Sequence, residues 1–162
     1  MKTFFILIAF MASEALGQDS LKTVKTVFYF GGSDCVYCVD PKNVENINAM
    51  RVNLPKTYKD VVFKFVLVVM DENLKEGIKY ADKYPSWDEL SIGQFYNNEL
   101  MLAYLNRSSI PGVPHIMIYN DVLNLHTNGH SVPTIEKRTL LVDLVGERSI
   151  QGWIQQGFPL KK

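Results

Sequence analysis

The feature that most constrains this fold is a nearly unbroken apolar run over residues 61–70 (Val-Val-Phe-Lys-Phe-Val-Leu-Val-Val-Met). Such a run is typical of a strand covered on both faces, as parallel strands are in α/β domains. Residues 24–30 are β-branched and aromatic and end at two glycines, which predicts an earlier strand. Between the two, apolar residues at steps of three and four predict a helix, with Asp40 as N-cap and Pro41 in its first turn. Strand, helix and strand together form a βαβ unit.

The rest of the chain carries two more strand signals, at residues 115–119 and 140–145, and an amphipathic closing helix near the C terminus. Residues 74–108 are interpreted as a helical insertion whose many aromatic residues are mostly core packing. Residues 120–139 are polar and are interpreted as an extended loop or a hairpin. We predict one α/β domain over residues 18–162, in which helices flank a central mixed sheet of about four strands.

Residues 1–17 have the composition of a secretory signal peptide. Lys2 supplies a positive charge, residues 4–12 form an apolar core, and Ala15 and Gly17 are the small residues expected before a cleavage site. The apolar core is shorter than the roughly 20 residues that span a membrane. We therefore predict export and a soluble mature domain, periplasmic or secreted. The alternative is an N-terminal helix buried in the fold.

The charge balance limits the partners. The chain has 17 Lys and Arg and 17 Asp and Glu, so its formal net charge is zero. A nucleic-acid binder needs an excess of basic side chains to neutralise phosphates, so nucleic acid is not expected as a partner. After the predicted signal peptide, no further apolar stretch is long enough to insert stably in a membrane. The prediction is a monomer that meets other proteins in solution.

The only two cysteines of the chain are Cys35 and Cys38, separated by Val36 and Tyr37. A purely structural disulfide is one interpretation. In the chain-entropy model, however, so short a loop stabilises a fold by only about 2 kcal/mol, against about 4.7 kcal/mol for a hundred-residue loop. Two thiols this close suit reversible chemistry, in which one attacks a substrate disulfide and the other resolves the mixed disulfide.

A metal site is the other alternative for the cysteine pair. Zinc takes four protein ligands, or three and a water molecule, so two cysteines would need partners. The candidates are the three histidines of the chain, His115, His126 and His130, and none stands at a ligand-like spacing from the pair. We therefore predict no metal, and no cofactor beyond the dithiol itself.

Three segments resemble the thioredoxin-like superfamily, in particular its exported thiol:disulfide oxidoreductases. They are the strand leading to Cys-x-x-Cys, the strand end at residues 69–73, and Ile-Pro-Gly-Val-Pro-His at residues 110–115. The resemblance covers residues 24–73 and 109–158. It implies a thioredoxin-like fold in which the Val113–Pro114 peptide bond is cis and faces the cysteines.

The resemblance also implies the roles of the site residues. Cys35 corresponds to the exposed nucleophile and Cys38 to the partly buried resolving thiol, and both are catalytic. The substrate-binding positions are Val113, Pro114 and Tyr37. A helix N-terminus next to the first cysteine would favour its thiolate form. The implied partners are protein thiols and disulfides and an upstream redox partner.

Several residues depart from the familiar pattern of the superfamily. Tyr29 stands where thioredoxins carry a buried acid, and Asp34 replaces the usual tryptophan before the first cysteine. The negative charge of Asp34 opposes a thiolate at Cys35. The tyrosine before the second cysteine, Tyr37, makes the dipeptide between the cysteines more similar to those of disulfide isomerases and glutaredoxins. A helix that begins only at Asp40 would leave both cysteines in a turn and weaken the effect of the helix dipole.

These features predict an exported thiol:disulfide oxidoreductase that acts on protein substrates. The dipeptide between the cysteines has no histidine to stabilise a thiolate, which favours reduction over oxidation or isomerisation as the direction. The alternative is a non-catalytic binding module of the same fold that delivers a metal or scaffolds a partner. The aromatic residues within the span 87–104 are the feature that favours this alternative.

Overall fold

A computed structural model describes residues 20–93, 112–125 and 133–160. In chain order the described elements are β1 (Ser20–Gly31), α1 (Val36–Val39), α2 (Pro41–Thr57), β2 (Phe63–Val69), α3 (Leu74–Ala81), β3 (Glu89–Ile92), β4 (His115–Leu125), β5 (Thr134–Val145) and α4 (Glu147–Gln155). The five strands form one sheet in the order β3-β2-β1-β4-β5.

The predicted βαβ unit forms the centre of this sheet. β1 and β2 run parallel, with Val27 beside Phe65, and α1 and α2 connect them. β4 is antiparallel to β1, and β5 is antiparallel to β4. A parallel βαβ unit continued by an antiparallel pair and a closing helix is the thioredoxin-like fold. The predicted fold class is confirmed.

The sheet is buried on both faces at its centre, as the apolar run of the second strand predicts. One face packs against α2, α3 and α4, which contribute Ile47, Tyr80 and Trp153 to a common core cluster. Because side chains alternate along a strand, the other face carries a second cluster. Its buried members are Phe28, Phe30, Val66, Val68, Met117 and Tyr119.

The helix α2 begins where the sequence predicts. The Asp40 carboxylate accepts hydrogen bonds from the backbone N–H groups of Lys42 and Asn43, at 2.8 and 3.1 Å. Pro41 occupies the first helical position, where its missing N–H costs nothing. The same proline separates α2 from the single turn α1, because it cannot donate a hydrogen bond back to that turn. This break lies close behind the cysteine pair.

Among the described residues the sheet has five strands, one more than the number predicted. The additional strand is β3, which pairs in parallel with residues 66–69 of β2 and lies inside the predicted helical insertion. At β3 the helical prediction is wrong: four residues are too few to show a clear alternation, and pairing with β2 decides their conformation. α3 is the helical part of that span, while residues 94–111 lie outside the described residues.

β4 and β5 pair antiparallel, so the described parts of the span 120–139, residues 120–125 and 134–139, are strand, which agrees with the second of its two interpretations, a hairpin. β4 extends to Leu125 and β5 begins at Thr134, so both strands are longer than predicted. The first part of β5 is polar and largely exposed. Such a segment lacks the apolar alternation by which a strand is recognised in a sequence. Residues 126–132, with His126 and His130, lie outside the described residues.

The predicted signal peptide, residues 1–17, also lies outside the part of the chain that the structure describes. Within the described part, no helix combines the length and the apolar composition that crossing a membrane requires.

Candidate active site

The cysteine pair lies at the carboxyl end of the central strand β1. A turn over residues 32–34 leads from β1 to Cys35, which is the N-cap of α1, and Cys38 lies within that helical turn. The two residues form a disulfide, with their Cα atoms 5.1 Å apart. The backbone N–H of Cys38 donates to the Cys35 Sγ at 3.1 Å. Carboxyl ends of strands are where open α/β sheets place their ligand sites.

The two sulfurs differ in accessibility. Cys38 is completely buried, whereas Cys35 is only partly buried and lies at the edge of the core. The two residues between them are exposed: Val36 retains 77% and Tyr37 59% of its accessible surface. A reagent arriving from solvent therefore meets Cys35 first.

The helix break decides how much the helix dipole can do for the first cysteine. α1 is a single turn, and the 17-residue helix α2 begins at Pro41 behind its own cap. The effect of a macrodipole falls off within one turn, so the dipole of α2 does not act directly on Cys35. The hydrogen bond from the Cys38 amide is the local interaction that favours negative charge on the Cys35 sulfur.

A cleft of about 490 Å³ opens beside the pair, lined by residues 32–37 together with Met70, Asp71 and Val113. The Val113–Pro114 peptide bond is cis, as the resemblance implies. Val113 thus shares the cleft with Cys35 and Tyr37, and these predicted site residues lie together. Pro114 is buried, and its carbonyl accepts the N–H of Gly146 at 2.8 Å.

Asp71, which sequence reasoning missed, holds the turn in front of the cysteines. Its carboxylate is 5% exposed and accepts the backbone N–H of Ser33 through both oxygens, at 3.1 and 3.0 Å. The Ser33 hydroxyl also donates to it. The neighbouring Gly32 leaves just enough space, since a Cβ there would lie 3.1 Å from an Asp71 oxygen. The available signal was an acidic residue soon after a buried parallel strand, where sites assemble.

A second group of missed residues lies behind the buried cysteine. Tyr84 donates its hydroxyl to the backbone carbonyl of Cys38 at 3.0 Å, and Tyr80 donates to Tyr84 at 3.1 Å. The Tyr29 hydroxyl lies 3.4 Å from that of Tyr84 and accepts from the Asn43 amide at 3.1 Å. Tyr80 and Tyr84 are spaced by one helical turn, which is a signal of a shared face but not of a shared hydroxyl network.

Burial raises the pKa of all three tyrosines, Tyr29, Tyr80 and Tyr84, above the usual value of 10.0. The cause is the loss of water around an ionised phenolate, which outweighs the hydrogen bonds that favour it at Tyr29. These hydroxyls therefore keep their protons at neutral pH. They act as hydrogen-bond donors and not as bases.

The described aromatic residues of the predicted insertion are packing residues, as expected. Tyr80 and Tyr84 are buried, and the Trp87 ring lies 6.1 Å from the Tyr29 ring and 5.9 Å from the Phe65 ring. Their rings therefore belong to the core cluster and not to an exposed binding surface. The remaining aromatic residues of that span, Phe95, Tyr96 and Tyr104, lie outside the described residues.

His115 follows the cis-proline and is completely buried. Its Nε2 lies 2.5 Å from an Asp143 oxygen on the neighbouring strand. Burial lowers the pKa of His115 below 6.5, while the Asp143 carboxylate acts in the opposite direction. Within the described residues, His, Cys, Asp and Glu side chains form no cluster of three or more that would hold a metal ion.

Neither a protein-family model nor a curated protein sequence matches this chain. Among solved structures, the chain is similar to tryparedoxin I from Leishmania major, with a TM-score of 0.49, 16% identity, and coverage of 83% of this chain and 74% of that one. It is also similar to the thioredoxin domain of a thiol-disulfide oxidoreductase from Bacteroides vulgatus, with a TM-score of 0.48, 13% identity, and coverage of 84% and 80%. StoA from Bacillus subtilis gives a TM-score of 0.44 at 18% identity, with coverage of 82% and 81%. These identities are too low for an activity to be transferred to this chain.

Proposed function

We propose that this chain is a thiol:disulfide oxidoreductase that exchanges disulfides with protein substrates. The observation that carries the proposal is the asymmetry of the pair: Cys35 lines an open cleft, whereas its bonded partner Cys38 is completely buried. A structural cross-link gains nothing from this asymmetry. An exchange reaction needs one reachable sulfur and one that outside reagents do not attack.

In the reduced protein, the Cys35 thiolate attacks one sulfur of a substrate disulfide. A bond forms between the two sulfurs, the substrate S–S bond breaks, and the other substrate sulfur leaves as a thiolate that takes a proton from solvent. The Cys38 thiolate then attacks the Cys35 sulfur, closes the Cys35–Cys38 bond and releases the second substrate thiolate. The substrate gains two electrons and the protein loses two.

The shape of the cleft suits an extended polypeptide next to its disulfide. Val113, which precedes the cis-proline, and Tyr37, whose ring is exposed, both line the cleft. We assign both residues to contacts with the substrate, with Pro114 fixing the course of the backbone behind Val113. A substrate strand held there brings its sulfur to Cys35.

The charges of the cleft favour reduction as the direction of exchange. Asp34 and Asp71 line the cleft, and among its described lining residues there is no Lys, Arg or His. Negative charge beside Cys35 destabilises a thiolate there. A less stable thiolate makes the reduced, dithiol form of the pair less stable relative to the disulfide. A pair that prefers the disulfide form gives its electrons to substrates, so it acts as a reductant.

We further propose that the protein acts as a monomer after export, with the dithiol as its redox group and no separate cofactor. The N-terminal sequence supports export. Since each reduction leaves the Cys35–Cys38 bond closed, an upstream dithiol protein must return two electrons to it before the next turnover.

Two serine variants test the proposal in an insulin-reduction assay with a small thiol as electron source. Cys35→Ser lacks the attacking sulfur, so its rate is expected to fall to that of the thiol alone. Cys38→Ser can attack but cannot resolve, so a mixed disulfide between Cys35 and insulin is expected to accumulate on non-reducing gels. Circular dichroism of both variants controls for folding. A Cys35→Ser variant as fast as the wild type, or a Cys38→Ser variant with no trapped complex, would contradict the proposal.

A further inference from the structure

The carbonyl of Cys38 has lost its helical partner. In a continuous helix it would accept the N–H of Lys42, but that group donates to the Asp40 carboxylate at 2.8 Å. The break between α1 and α2 therefore leaves a buried carbonyl to be satisfied from elsewhere. The Tyr84 hydroxyl does so at 3.0 Å, from a position 46 residues further along the chain.

The hydroxyl of Tyr84 is itself held by two others. Tyr80 donates to it at 3.1 Å. Since Tyr84 has a single hydroxyl proton and gives it to Cys38, the 3.4 Å contact with Tyr29 must have Tyr29 as donor. Asn43 donates to Tyr29 at 3.1 Å. The Tyr80 hydroxyl also lies 3.5 Å from that of Tyr29. The three hydroxyls thus form one network that ends on the backbone carbonyl of Cys38.

A glycine next to the site is fitted to the same cluster. Gly31 is the last residue of β1, and a Cβ built on it would overlap the hydroxyl of Tyr80. The end of β1, which leads to the cysteines, therefore packs directly against the tyrosine cluster. The cluster is anchored on β1 through Tyr29, on α3 through Tyr80 and on the segment after α3 through Tyr84, so it is independent of the short turn α1.

We propose that the hydroxyl cluster of Tyr29, Tyr80 and Tyr84 positions Cys38, keeping its sulfur within reach of Cys35 when the disulfide is open. The inference rests on the proposed function and names positioning residues for it. While the bond is closed, it holds Cys38 covalently. Once it is open, α1 is a single turn, and helices this short do not hold themselves together. The Tyr84 hydrogen bond then keeps Cys38 in its place.

Loss of the Tyr84 hydroxyl acts unequally on the two redox forms. In the oxidised form, the disulfide keeps the Cys38 carbonyl in the core, so without the Tyr84 hydroxyl the protein pays the full free-energy cost of a buried carbonyl that has no hydrogen bond. In the reduced form, the turn can move and expose that carbonyl to water, so this cost is smaller. The equilibrium constant for closing the Cys35–Cys38 bond is therefore expected to fall about fivefold in Tyr84→Phe. This corresponds to a potential about 20 mV less negative for a two-electron couple.

The experiment compares Tyr84→Phe with Tyr58→Phe in glutathione redox buffers. Tyr58 makes the same kind of bond far from the site, from its hydroxyl to the carbonyl of Phe158 at 2.9 Å. Each protein is equilibrated, quenched with acid and alkylated. The amounts of its reduced, disulfide and glutathionylated forms are then measured by intact mass. In Tyr84→Phe, the equilibrium constant for forming the Cys35–Cys38 disulfide is expected to be about fivefold lower than in the wild type. More of the mixed disulfide between Cys35 and glutathione is therefore expected to accumulate. Tyr58→Phe is expected to match the wild type.

Equal potentials for Tyr84→Phe and the wild type, or equal shifts in Tyr84→Phe and Tyr58→Phe, would overturn the inference. Tyr80→Phe removes a hydroxyl one step further away and is expected to shift the equilibrium in the same direction by less. It keeps the inference testable if Tyr84→Phe does not fold, because an unshifted Tyr80→Phe then counts against it. The measurement needs no protein substrate. A shift in Tyr84→Phe without insulin reduction by the wild type would retain this inference and reject the proposed function.

Discussion

The two sulfurs of one disulfide lie in opposite surroundings. On the open side, Cys35 faces a cleft with two carboxylates, and its preceding turn is tied to Asp71 through Ser33. On the closed side, Cys38 has no accessible surface, and its backbone is held by neutral tyrosine hydroxyls. Charge acts on the first sulfur and rigid packing on the second.

This difference separates two properties that an exchange site must control. The charges near Cys35 influence how readily its thiolate forms and which substrates approach it. The packing around Cys38 influences how readily the intramolecular bond closes, because closing depends on how well the second sulfur is held in place. Substitutions on the open side should therefore change thiolate formation, and substitutions on the closed side should change stability and bond closure.

The largest effect is expected from Gly31→Ala, compared with Gly32→Ala one residue away. The Cβ at position 31 overlaps the hydroxyl of Tyr80, which is 1% exposed and has no free space to move into. The Cβ at position 32 meets an Asp71 oxygen at 3.1 Å, which a small shift relieves. We expect Gly31→Ala to lower the free energy of unfolding by about 2–3 kcal/mol and Gly32→Ala by less than about 1 kcal/mol, measured by urea denaturation. Equal losses in the two variants would contradict the comparison.

Asp71→Asn should have a smaller effect, on stability and on the first sulfur together. Asparagine replaces one carboxylate oxygen with an NH2 donor, so the Ser33 N–H loses one of its two acceptor oxygens and faces a donor in its place. The expected loss is about 1–2 kcal/mol in the free energy of unfolding. Removing the negative charge should also let the Cys35 thiolate form at lower pH, which is measured by the ultraviolet absorbance of the thiolate.

Asp34→Asn is the matched control. The Asp34 side chain is exposed, so this variant should shift thiolate formation with little change in stability. Thiolate formation that is unaltered in Asp71→Asn would show that the charge does not reach Cys35.

The open side of the site was largely predictable from the sequence, because its features are local. The spacing of Cys35 and Cys38 and the Asp40 cap each depend on residues close together in the chain. The cis Val113–Pro114 bond was implied by the resemblance of residues 110–115 to a known superfamily. The apolar run of β2 predicted the parallel unit that places the pair at the end of β1, since a run of this length must be buried on both faces.

The closed side was not predictable in the same way, because it depends on contacts between distant residues. Tyr29 and Tyr84 are 55 residues apart. On the open side, Asp71 was missed for the same reason, since it meets Ser33 across 38 residues. Hydrophobic periodicity predicts that Tyr80 and Tyr84 are buried, and they are. It does not predict where their hydroxyls end, because that depends on how α3 packs against the sheet. The strand β3 was missed for the same reason, since its pairing with β2 comes from tertiary structure.

The smallest effect is expected from acidification, through His115, the residue that follows the cis-proline. Burial lowers the pKa of His115, so below about pH 6.5 the unfolded chain takes up this proton more readily than the folded chain does. The stability contributed by neutral His115 is therefore present above about pH 6.5 and is lost as the pH falls. The loss stays below about 1.4 kcal/mol per pH unit, the limit for one proton, and Asp143 at 2.5 Å reduces it. The three tyrosines do not titrate in this range, because burial raises the pKa of each.

Urea denaturation of the wild type and of His115→Gln between pH 8 and pH 5 measures the contribution of His115 to the pH dependence of stability. The wild type should lose more stability on acidification than the variant. Parallel losses would assign the acid sensitivity to other groups and leave no difference in pH response between the two sides of the site.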